Sequence, residues 1–521
     1  MVFQSASSKS VPGALSSQSR GETGCAEASG ESHQSSIVTV RNDLNWVSSR
    51  ARIGLLDGSM GIQRGRCNPL DLDAASRVAV YDPGMNDSET SNPGYWSPPH
   101  RDGQPIEVIG HADLVGSKSV SQRVILLAAL AKGGSEIIGA PLNEDLQVFI
   151  DALVSLGLEI SGELPGPLHV QGCGGQLPAG DRRVDLGANG TGLRFITALA
   201  ALRQGETIVD GVSHRPILPL VKALRDLGCS ASCTGEGPPV KIEGGSLTGG
   251  RVVLQAAVSS QFTSALMQIA PHLPGGLQLR LTGPISSRPY IELTAALLRA
   301  FGVAVELTHR EIRIQKVESL RSGRIEVEAD ASAAAFPLCA AAIQDGDVTV
   351  NGVGTRSLQG DRSIGEILKE MGCRVDVSER SIRVHGPPVR AISRSMEGTP
   401  DLVPAVAVVA AFARGESVIS GVSHLRVKET DRLEVLCRGM TSLGIRAEVR
   451  GDLLRVVGSD GLDLRGADLD PAGDHRMAMA FALLALRIPG TRVIDPACVA
   501  KSDPGFFTRI EALIGQQETT R

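Results

Sequence analysis

The sequence has little aromatic content, since Phe, Trp and Tyr make up only 3% of its 521 residues. It contains no uninterrupted apolar run of about 18 to 20 residues, and therefore no candidate membrane-spanning helix. Acidic and basic residues nearly balance, at 57 to 52, so no basic surface for nucleic acid or an anionic membrane is expected. The N-terminus lacks the basic and then apolar segments of a secretory signal peptide, which favours a cytoplasmic protein.

Regular cysteine spacing is also absent. The nine cysteines are scattered, and an odd number without paired spacing is typical of reduced thiols in a cytosolic protein. Cys229 and Cys233 could form half of a metal site, but the sequence has neither a matching second pair nor an HExxH motif. We therefore expect no metal site.

The first hundred residues differ in composition from the rest. Both tryptophans and two of the three tyrosines fall there, and the segment begins with a stretch rich in Ser and Gly. We predict a largely disordered extension over residues 1–104, whose deletion up to residue 100 should leave activity intact. A slight acidic excess argues against a plastid transit peptide. A flexible tail, translation begun upstream of the true start, and a small partner-binding module all remain as interpretations.

A repeat of roughly 70 residues dominates the remainder of the chain. Amphipathic helices that end in glycine recur six times, at Gly157, Gly228, Gly302, Gly372, Gly444 and Gly515. Glycine suits a helix C-terminus because it adopts the left-handed conformation without Cβ strain. A second pattern, an Ala/Leu-rich helix followed by a turn and a strand, recurs at Gly134, Gly205, Gly276, Gly346, Gly415 and Gly490. Two markers with one period predict six repeated units.

Each unit is predicted to contain two helices and about four short strands. The Ala-rich helix has small residues on nearly every face, as expected for a helix buried all round. Length alone favours three to four domains, but separate units of this size and composition would be marginally stable, so we expect them to pack together. The alternating segment 105–112 (PIEVIGHA) is expected to complete the sixth unit, so that chain start and end share one domain.

Polar residues interrupt the apolar pattern at the starts of helices in the first half. A helix N-terminus carries free N–H groups and a positive dipole end, and therefore attracts anions. The turn DLGANGTGLRF adds backbone donors, although it lacks the GK[ST] ending of a Walker loop. Ordinary helix caps would explain each motif singly. The candidate anion-binding residues are Lys118, Ser119, Arg123, Gly190, Arg215, Ser259, Ser260, Gln261, Ser287 and Tyr290.

The second half places charged residues directly before apolar helices, in RVKETDR, DHRMAM and DPACVAK. A dense run such as RVKETDR could be a solvated face, but the position of DHR makes a solvated face a poor explanation there. Carboxylates beside several cations suit acid/base chemistry on anionic ligands. The residues themselves therefore predict two phosphorylated or carboxylated ligands in a cleft. The candidates are Asp401, Lys428, Glu429, Arg432, Arg476 and Lys501.

In their order, these motifs resemble the 5-enolpyruvylshikimate-3-phosphate synthase family. The set is GSKSxSxR, a Gly-Thr-x-x-Arg loop, SSQF, SxPY, RVKETDR, DHRMAM and DPxCxAK, spread over residues 105–515. The resemblance implies an α/β (α+β) fold, an inside-out α/β barrel of two domains with three βαβαββ repeats in each. One domain would comprise residues 105–116 and 329–521, and the other residues 117–328. Family members close the two domains around their ligands.

The resemblance also implies a reaction. Members of the family transfer the enolpyruvyl group of phosphoenolpyruvate to the 5-hydroxyl of shikimate 3-phosphate and release phosphate, by addition and elimination. They use no metal and no organic cofactor. We therefore expect these two small molecules as partners, no nucleic acid or membrane partner, and a monomer.

Matching motifs imply a role for each residue. Asp401 is expected to take the proton of the 5-hydroxyl and Glu429 to protonate the methylene carbon. Lys428 would support both steps, with Lys118 beside both ligands. Shikimate 3-phosphate is expected to contact Lys118, Ser119, Arg123, Ser259, Ser260, Gln261, Ser287, Tyr290, Asp401, His424 and Lys428. Phosphoenolpyruvate is expected to contact Lys118, Gly190, Arg215, Gln261, Arg432, Arg476 and Lys501.

Three positions depart from the usual pattern of the family. Ala188 and His424 stand where asparagines are common, and Arg288 replaces a lysine. His424 would still donate a hydrogen bond, with a charge that depends on pH. A paralogue with another phosphorylated acceptor is one alternative. A sister transferase acting on UDP-N-acetylglucosamine is another, although its usual cysteine is missing from the loop DGVSHRP. A non-catalytic binding protein is the third, but it would be expected to lack a charged candidate.

Overall fold

The computed structural model describes residues 94–100, 106–211, 215–387 and 390–514. Expectations about residues 1–93 and about Gly515 lie outside the described residues. Within this part of the chain, no helix is long and apolar enough to cross a membrane.

Helices and strands alternate along the chain. The helices are α1 (Lys118–Leu130), α2 (Glu144–Ser155), α3 (Gly190–Ala200), α4 (Leu218–Asp226), α5 (Ser260–Ile269), α6 (Arg288–Ala300), α7 (Ala331–Ile343), α8 (Ile364–Glu370), α9 (Val403–Ala411), α10 (Arg432–Ser442), α11 (His475–Arg487) and α12 (Phe506–Ile514). The strands are β1 (Tyr95–Trp96), β2 (Ile109–Ala112), β3 (Lys132–Ile138), β4 (Glu159–Ser161), β5 (Leu168–Cys173), β6 (Arg182–Asp185), β7 (Gly205–Asp210), β8 (Ser230–Thr234), β9 (Gly237–Gly244), β10 (Gly250–Gln255), β11 (Leu277–Thr282), β12 (Val305–Leu307), β13 (Glu311–Ile314), β14 (Arg324–Glu326), β15 (Asp347–Asn351), β16 (Arg374–Val377), β17 (Ser381–His385), β18 (Ser393–Ser395), β19 (Glu416–Ser420), β20 (Ala447–Arg450), β21 (Leu453–Val457), β22 (Asp468–Leu469) and β23 (Arg492–Ile494).

Buried apolar side chains form two separate cores. One core draws on residues 120–320, and the other on residues 96–112 and 331–513. We call the corresponding parts the first lobe, residues 118–327, and the second lobe, which comprises the remaining described residues. The first lobe contains the sheets β14-β3-β5-β4, β6-β7-β9-β8 and β10-β11-β13-β12. The second contains β16-β17-β15-β2, β18-β19-β21-β20 and β1-β23-β22. The predicted mixed α/β class is confirmed.

The Ala-rich helices are buried as the composition predicts. In α1, every residue from Val120 to Leu130 is buried, and in α7 only Ala333 is not fully buried. Small side chains let such a helix pack closely on all sides. The described glycines that were predicted to end helices all have a positive φ, at Gly157, Gly228, Gly302, Gly372 and Gly444.

The chain passes between the lobes in two adjacent segments. Gly116 forms an antiparallel bridge with Ala329. The backbone N–H of Ser117 donates to the carbonyl oxygen of Glu328 at 2.8 Å. These short segments are the covalent links between the two cores.

The expectation that residues 105–112 complete the sixth unit is wrong. β2 pairs in parallel with β15 in the fourth unit, with Ile109 opposite Asp347 and Ala112 opposite Val350. The fourth unit lacks a strand of its own before α7, because β14 pairs instead with β3 of the first lobe. β2 fills this open edge, and the first and last described residues lie in the same lobe.

Residues 94–100 belong to the fold, although we expected the extension to reach residue 104. β1 pairs antiparallel with β23 and thereby completes the sheet of the sixth unit. Trp96 is 9% exposed. Its ring packs against Phe507 with centroids 4.8 Å apart, and its Nε1 donates to Glu511 at 2.7 Å. A two-residue strand among prolines is too short to show a periodic pattern, which explains why the sequence did not predict it.

Candidate active site

A polar cavity, partly open to solvent, lies between the two lobes. Every predicted site residue lines it except His424 and Lys501. The lining residues are Lys118, Ser119, Arg123, Asp145, Gly190, Thr191, Arg215, Val258, Ser259, Ser260, Gln261, Ser286, Ser287, Tyr290, Asp401, Lys428, Glu429, Arg432, His475 and Arg476.

Five helices begin at this cavity. Their first residues are Lys118 of α1, Gly190 of α3, Ser260 of α5, Arg432 of α10 and His475 of α11. A side-chain oxygen caps each of these starts, supplied by Ser117, Asn189, Ser259, Asp431 and Asp474. Because helix N-termini favour negative charge, their convergence suits anionic ligands.

Arg432 is the centre of a buried charge cluster. Its Nη1 lies 2.8 Å from Oδ1 of Asp401, and its Nη2 lies 2.9 Å from Oε2 of Glu429. Its Nε lies 2.7 Å from Oδ2 of Asp474, and the arginine side chain is 2% exposed. Burial opposes the charge, but these carboxylates raise the pKa of Arg432 above its ordinary value. A buried ion held on three sides fixes the carboxylates in turn.

Asp401 also joins the two lobes. Its Oδ2 accepts from the hydroxyl of Tyr290 at 3.2 Å and lies 3.2 Å from Nη2 of Arg476. Burial would raise the pKa of Asp401, but Arg476, Lys428 and Arg432 hold that pKa well below its usual range. The carboxylate is therefore ionised and in position to accept a proton.

Glu429 lies on the other side of Arg432. One of its oxygens is 3.3 Å from Nη2 of Arg215 in the first lobe. Burial opposes ionisation, but Arg215 and Arg432 hold the pKa of Glu429 well below its usual range. Burial is also the main reason that the pKa of Lys428 falls to about 8. Around Arg432 the cavity thus contains two ionised carboxylates, Asp401 and Glu429, and an ammonium group whose pKa is about 8.

Arg123 lies beneath the cavity in the first lobe. Its guanidinium donates to the carbonyl oxygen of Ser119 at 2.7 Å, to Oγ1 of Thr294 at 2.9 Å and to Oγ of Ser264 at 3.3 Å. Burial lowers the pKa of Arg123 to about 10. The guanidinium also packs over the ring of Tyr290, 5.7 Å from its centroid. Arg123 therefore holds the floor of the cavity as a cation.

Short polar side chains cover the rest of the first-lobe surface. Gln261 donates from Nε2 to Oγ1 of Thr191 at 2.9 Å. Ser287 has a φ of 55°, a left-handed conformation that is costly for a residue with a Cβ. Its backbone N–H donates to the carbonyl oxygen of Glu397 at 3.0 Å. The hydroxyl of Ser286 lies 3.5 Å from that of Ser287, so two hydroxyls meet at the cavity wall.

Two predicted site residues, His424 and Lys501, and two positions that depart from the family pattern, Ala188 and Arg288, do not line the cavity. Burial lowers the pKa of His424 to about 4, so its ring is neutral at neutral pH and adds no cation there. Lys501 donates to the carbonyl oxygen of Ala188 at 2.9 Å. The polar contact at this position therefore comes from the backbone, although the alanine side chain is apolar. Arg288 pairs with Glu292 at 2.8 Å, is half-buried and does not line the cavity.

Five lining residues were not predicted as site residues. Thr191 and His475 lie within the predicted motifs, next to the predicted residues Gly190 and Arg476. Ser286 and Val258 each precede a predicted residue. Asp145 gave no signal, because an acidic residue in the first turn of a helix is common on dipole grounds alone. Among the described residues, no group of three or more His, Cys, Asp or Glu side chains could hold a metal ion.

Comparison with solved structures defines the class. The chain shares its fold with the enolpyruvyl transferase NikO from Streptomyces tendae, with a TM-score of 0.63 at 20% identity over 78% of this chain and 95% of that one. EPSP synthase from Acinetobacter baumannii gives a TM-score of 0.67 at 27% identity over 80% of this chain and 97% of that one. The fold is thus that of the enolpyruvyl transferases.

Sequence comparison gives the family. The family model for EPSP synthase (3-phosphoshikimate 1-carboxyvinyltransferase) matches residues 104–510, and the chain belongs to this family. The chloroplastic 3-phosphoshikimate 1-carboxyvinyltransferase of Arabidopsis thaliana is 38% identical over 79% of this chain and 84% of that protein. The enzyme of the same name from Nitrosomonas europaea is 36% identical over 78% of this chain and 96% of that protein.

Proposed function

We propose that the chain transfers the enolpyruvyl group of phosphoenolpyruvate to the 5-hydroxyl of shikimate 3-phosphate and releases phosphate. The observation that carries this proposal is the pair of ionised carboxylates, Asp401 and Glu429, held by Arg432 in a cavity ringed with cations. Such cations stabilise anionic substrates, and two separately held carboxylates can serve proton transfers at two different atoms.

The acceptor belongs to the side formed by the first lobe. The hydroxyls and amide there, with Arg123 beneath, suit a phosphorylated polyol. We assign shikimate 3-phosphate to Lys118, Ser119, Arg123, Ser259, Ser260, Gln261, Ser287 and Tyr290, with Asp401, His424 and Lys428 from the second lobe. His424 is assigned as a neutral group, in keeping with its lowered pKa.

Phosphoenolpyruvate belongs where cations from both lobes meet. Its phosphate and carboxylate groups would be bound by guanidinium and ammonium groups and by the first N–H groups of α3. We assign it to Lys118, Gly190, Arg215, Gln261, Arg432, Arg476 and Lys501. A side chain at Gly190 would meet Nη1 of Arg215, since a Cβ there would lie 2.2 Å from it.

Asp401 takes the proton of the 5-hydroxyl as that oxygen attacks the substituted carbon of phosphoenolpyruvate. Glu429 delivers a proton to the methylene carbon, which becomes a methyl group in the addition product. When the anionic substrate binds, Arg215 and Arg432 interact with it as well as with Glu429. Their weaker hold on Glu429 raises the pKa of that carboxylate, so that it can carry the proton. In the elimination, Glu429 takes a proton back from the methyl group and phosphate leaves, carrying the proton that Asp401 took from the 5-hydroxyl. Lys428 supports both steps as a cation.

We assign the finer architecture on the same basis. The two lobes correspond to domains at residues 105–116 with 329–521, to which residues 94–100 add strand β1, and at residues 117–328. Each domain would be an assembly of three βαβαββ repeats in an inside-out barrel. Two separate cores joined by paired segments at Gly116 and Ala329 support this division. Closure of the domains would exclude water from the addition product.

Phosphate release tests the function. Purified protein is mixed with phosphoenolpyruvate and, in separate reactions, with shikimate 3-phosphate, UDP-N-acetylglucosamine or no acceptor. We expect release with shikimate 3-phosphate alone. Release with UDP-N-acetylglucosamine alone would move the chain to the sister activity, and no release from folded protein would refute the proposal.

We also propose a cytoplasmic monomer. The acidic excess of residues 1–104 is unlike a transit peptide, even though the relative from Arabidopsis thaliana is named as chloroplastic. Light scattering after gel filtration should give the mass of one chain, 54.5 kDa. A fluorescent protein fused to the C-terminus should be spread through the cytoplasm, and accumulation in an organelle would contradict the assignment.

A further inference from the structure

One carboxylate in the cavity is shared by lysines of both lobes. Asp145 lies in the first turn of α2, with its Oδ2 2.8 Å from Nζ of Lys118. Its Oδ1 lies 2.7 Å from Nζ of Lys501, which follows α11 in the second lobe. The aspartate side chain is 8% exposed. The proposed reaction uses both lysines but gives Asp145 no role.

The backbone around Asp145 is fixed. Asn143 caps α2 by accepting from the N–H of Leu146 at 2.9 Å. The carbonyl oxygen of Asp145 accepts from Nδ2 of Asn189 at 2.6 Å and from Nε2 of Gln122 at 3.4 Å. These bonds tie the starts of α1, α2 and α3 together. A carboxylate on such a frame has little freedom, and it restrains the ammonium groups that it holds.

A carboxylate in an anion-binding cavity has two opposite effects. It repels an anionic ligand, and its two oxygens occupy donors that the ligand would otherwise use. It also holds two flexible lysine stems in one geometry, and a lysine side chain alone has much rotamer freedom to lose. The first effect weakens ground-state binding, and the second favours reaction by orientation.

We propose that Asp145 is a positioning residue, which sets Lys118 and Lys501 side by side at the phosphoenolpyruvate subsite at the cost of weaker phosphate binding. This inference rests on the proposed function for the identity of the anion. Removal of the carboxylate should therefore lower turnover and tighten anion binding together. A mere loss of packing would not move the two quantities in opposite senses.

The test uses the full chain and the substitution Asp145→Asn. Inorganic phosphate is the probe of the anion site, and its dissociation constant is measured by calorimetry. We expect phosphate to bind about threefold or more tightly, because a like charge has gone. The kcat of enolpyruvyl transfer should fall by about tenfold to a hundredfold, because the two lysines are no longer oriented.

Two matched variants separate charge from position. Asp145→Glu keeps the charge but moves it by one methylene, so phosphate affinity should stay near that of the unchanged protein while kcat remains low. Asp151→Asn makes the same change on the exposed face of α2, where the carboxylate accepts from Gln147 at 2.9 Å. Neither quantity should change in that variant.

Equal or weaker phosphate binding by Asp145→Asn would overturn the inference, as would an unchanged kcat. If this variant does not fold, Asp145→Glu decides, and a kcat equal to that of the unchanged protein overturns the inference. A folded unchanged chain that binds phosphate but transfers no enolpyruvyl group would refute the proposed function. The phosphate measurement would still decide the effect of Asp145 on anion binding.

Discussion

The two lobes face the same cavity with different chemistry. The first lobe contributes mostly hydroxyls, an amide and helix N–H groups, exemplified by Ser259, Ser260 and Gln261. The second contributes almost only charged groups, centred on Arg432 with Asp401 and Glu429. Both lobes are built on similar sheets and buried helices. Under the proposed function, this contrast predicts that the first lobe mainly recognises the acceptor and that the second mainly carries out the proton transfers.

The largest expected effect comes from removing an acid/base group of the second lobe. Glu429→Gln should lower kcat by about a hundredfold or more, because an amide cannot carry the proton. The dissociation constant for shikimate 3-phosphate, measured by calorimetry, should change by less than about threefold, since that ligand depends on other groups.

Glu434→Gln is the matched control. It makes the same change on α10, at an exposed side chain 3.8 Å from Arg438, and it should leave kcat unchanged. Near-normal turnover by Glu429→Gln would show that Glu429 does not protonate the methylene carbon. It would also contradict the division of roles between the lobes.

A hydroxyl of the first lobe should affect binding instead. Ser260→Ala should raise the KM for shikimate 3-phosphate by about tenfold, the cost of a hydrogen bond to a charged group, with kcat within about threefold. Steady-state kinetics with varied acceptor measures both. Ser232→Ala, at an exposed position of β8, is the control. A fall in kcat with constant KM would mean that this part of the first lobe takes part in the chemistry, and it would contradict the division of roles between the lobes.

The pH dependence of activity tests the role of a charged group of the second lobe, Lys428. Since burial lowers the pKa of Lys428 to about 8, this lysine is charged below pH 8 and neutral above it. The kcat/KM for phosphoenolpyruvate should fall about fivefold between pH 8 and pH 9, as the charged fraction of Lys428 does. In Lys428→Arg, whatever activity remains should lack that decline, because a guanidinium stays charged. The same decline in both proteins would assign it to another group.

The smallest effect on activity concerns the N-terminal strand of the second lobe. Deletion of residues 1–93 should leave activity and melting temperature unchanged. Deletion of residues 1–100 removes Trp96 and should lower the free energy of unfolding by about 3 kcal/mol, as expected for loss of a buried aromatic side chain. Thermal unfolding of the two truncated chains measures this. Equal melting temperatures would show that β1 contributes little.

Much of the fold and of the candidate site could be predicted from the sequence. The repeated helices are visible because buried helices need small residues and because helix ends need glycine, as at Gly157 and Gly228. The site appears because charged residues such as Arg432 and Arg476 stand where the apolar pattern predicts buried ones. Such patterns can be recognised from residues that are close together in the sequence.

The rest depends on contacts between distant parts of the chain. Pairing of β2 with β15 follows from the exchange of strands at the crossing between lobes, which no local pattern records. The role of Trp96 requires its contact with Phe507, more than four hundred residues away. Asp145 resembles an ordinary first-turn carboxylate until Lys118 and Lys501 meet it.

Phosphorus NMR of the complete reaction tests the central claim most directly, because it follows both substrates at once. With the unchanged protein, the phosphoenolpyruvate signal should be replaced by that of inorganic phosphate only when shikimate 3-phosphate is present. The acceptor should keep its own phosphate throughout. Unchanged spectra from folded protein, or phosphate released without an acceptor, would contradict enolpyruvyl transfer in the cavity between the lobes.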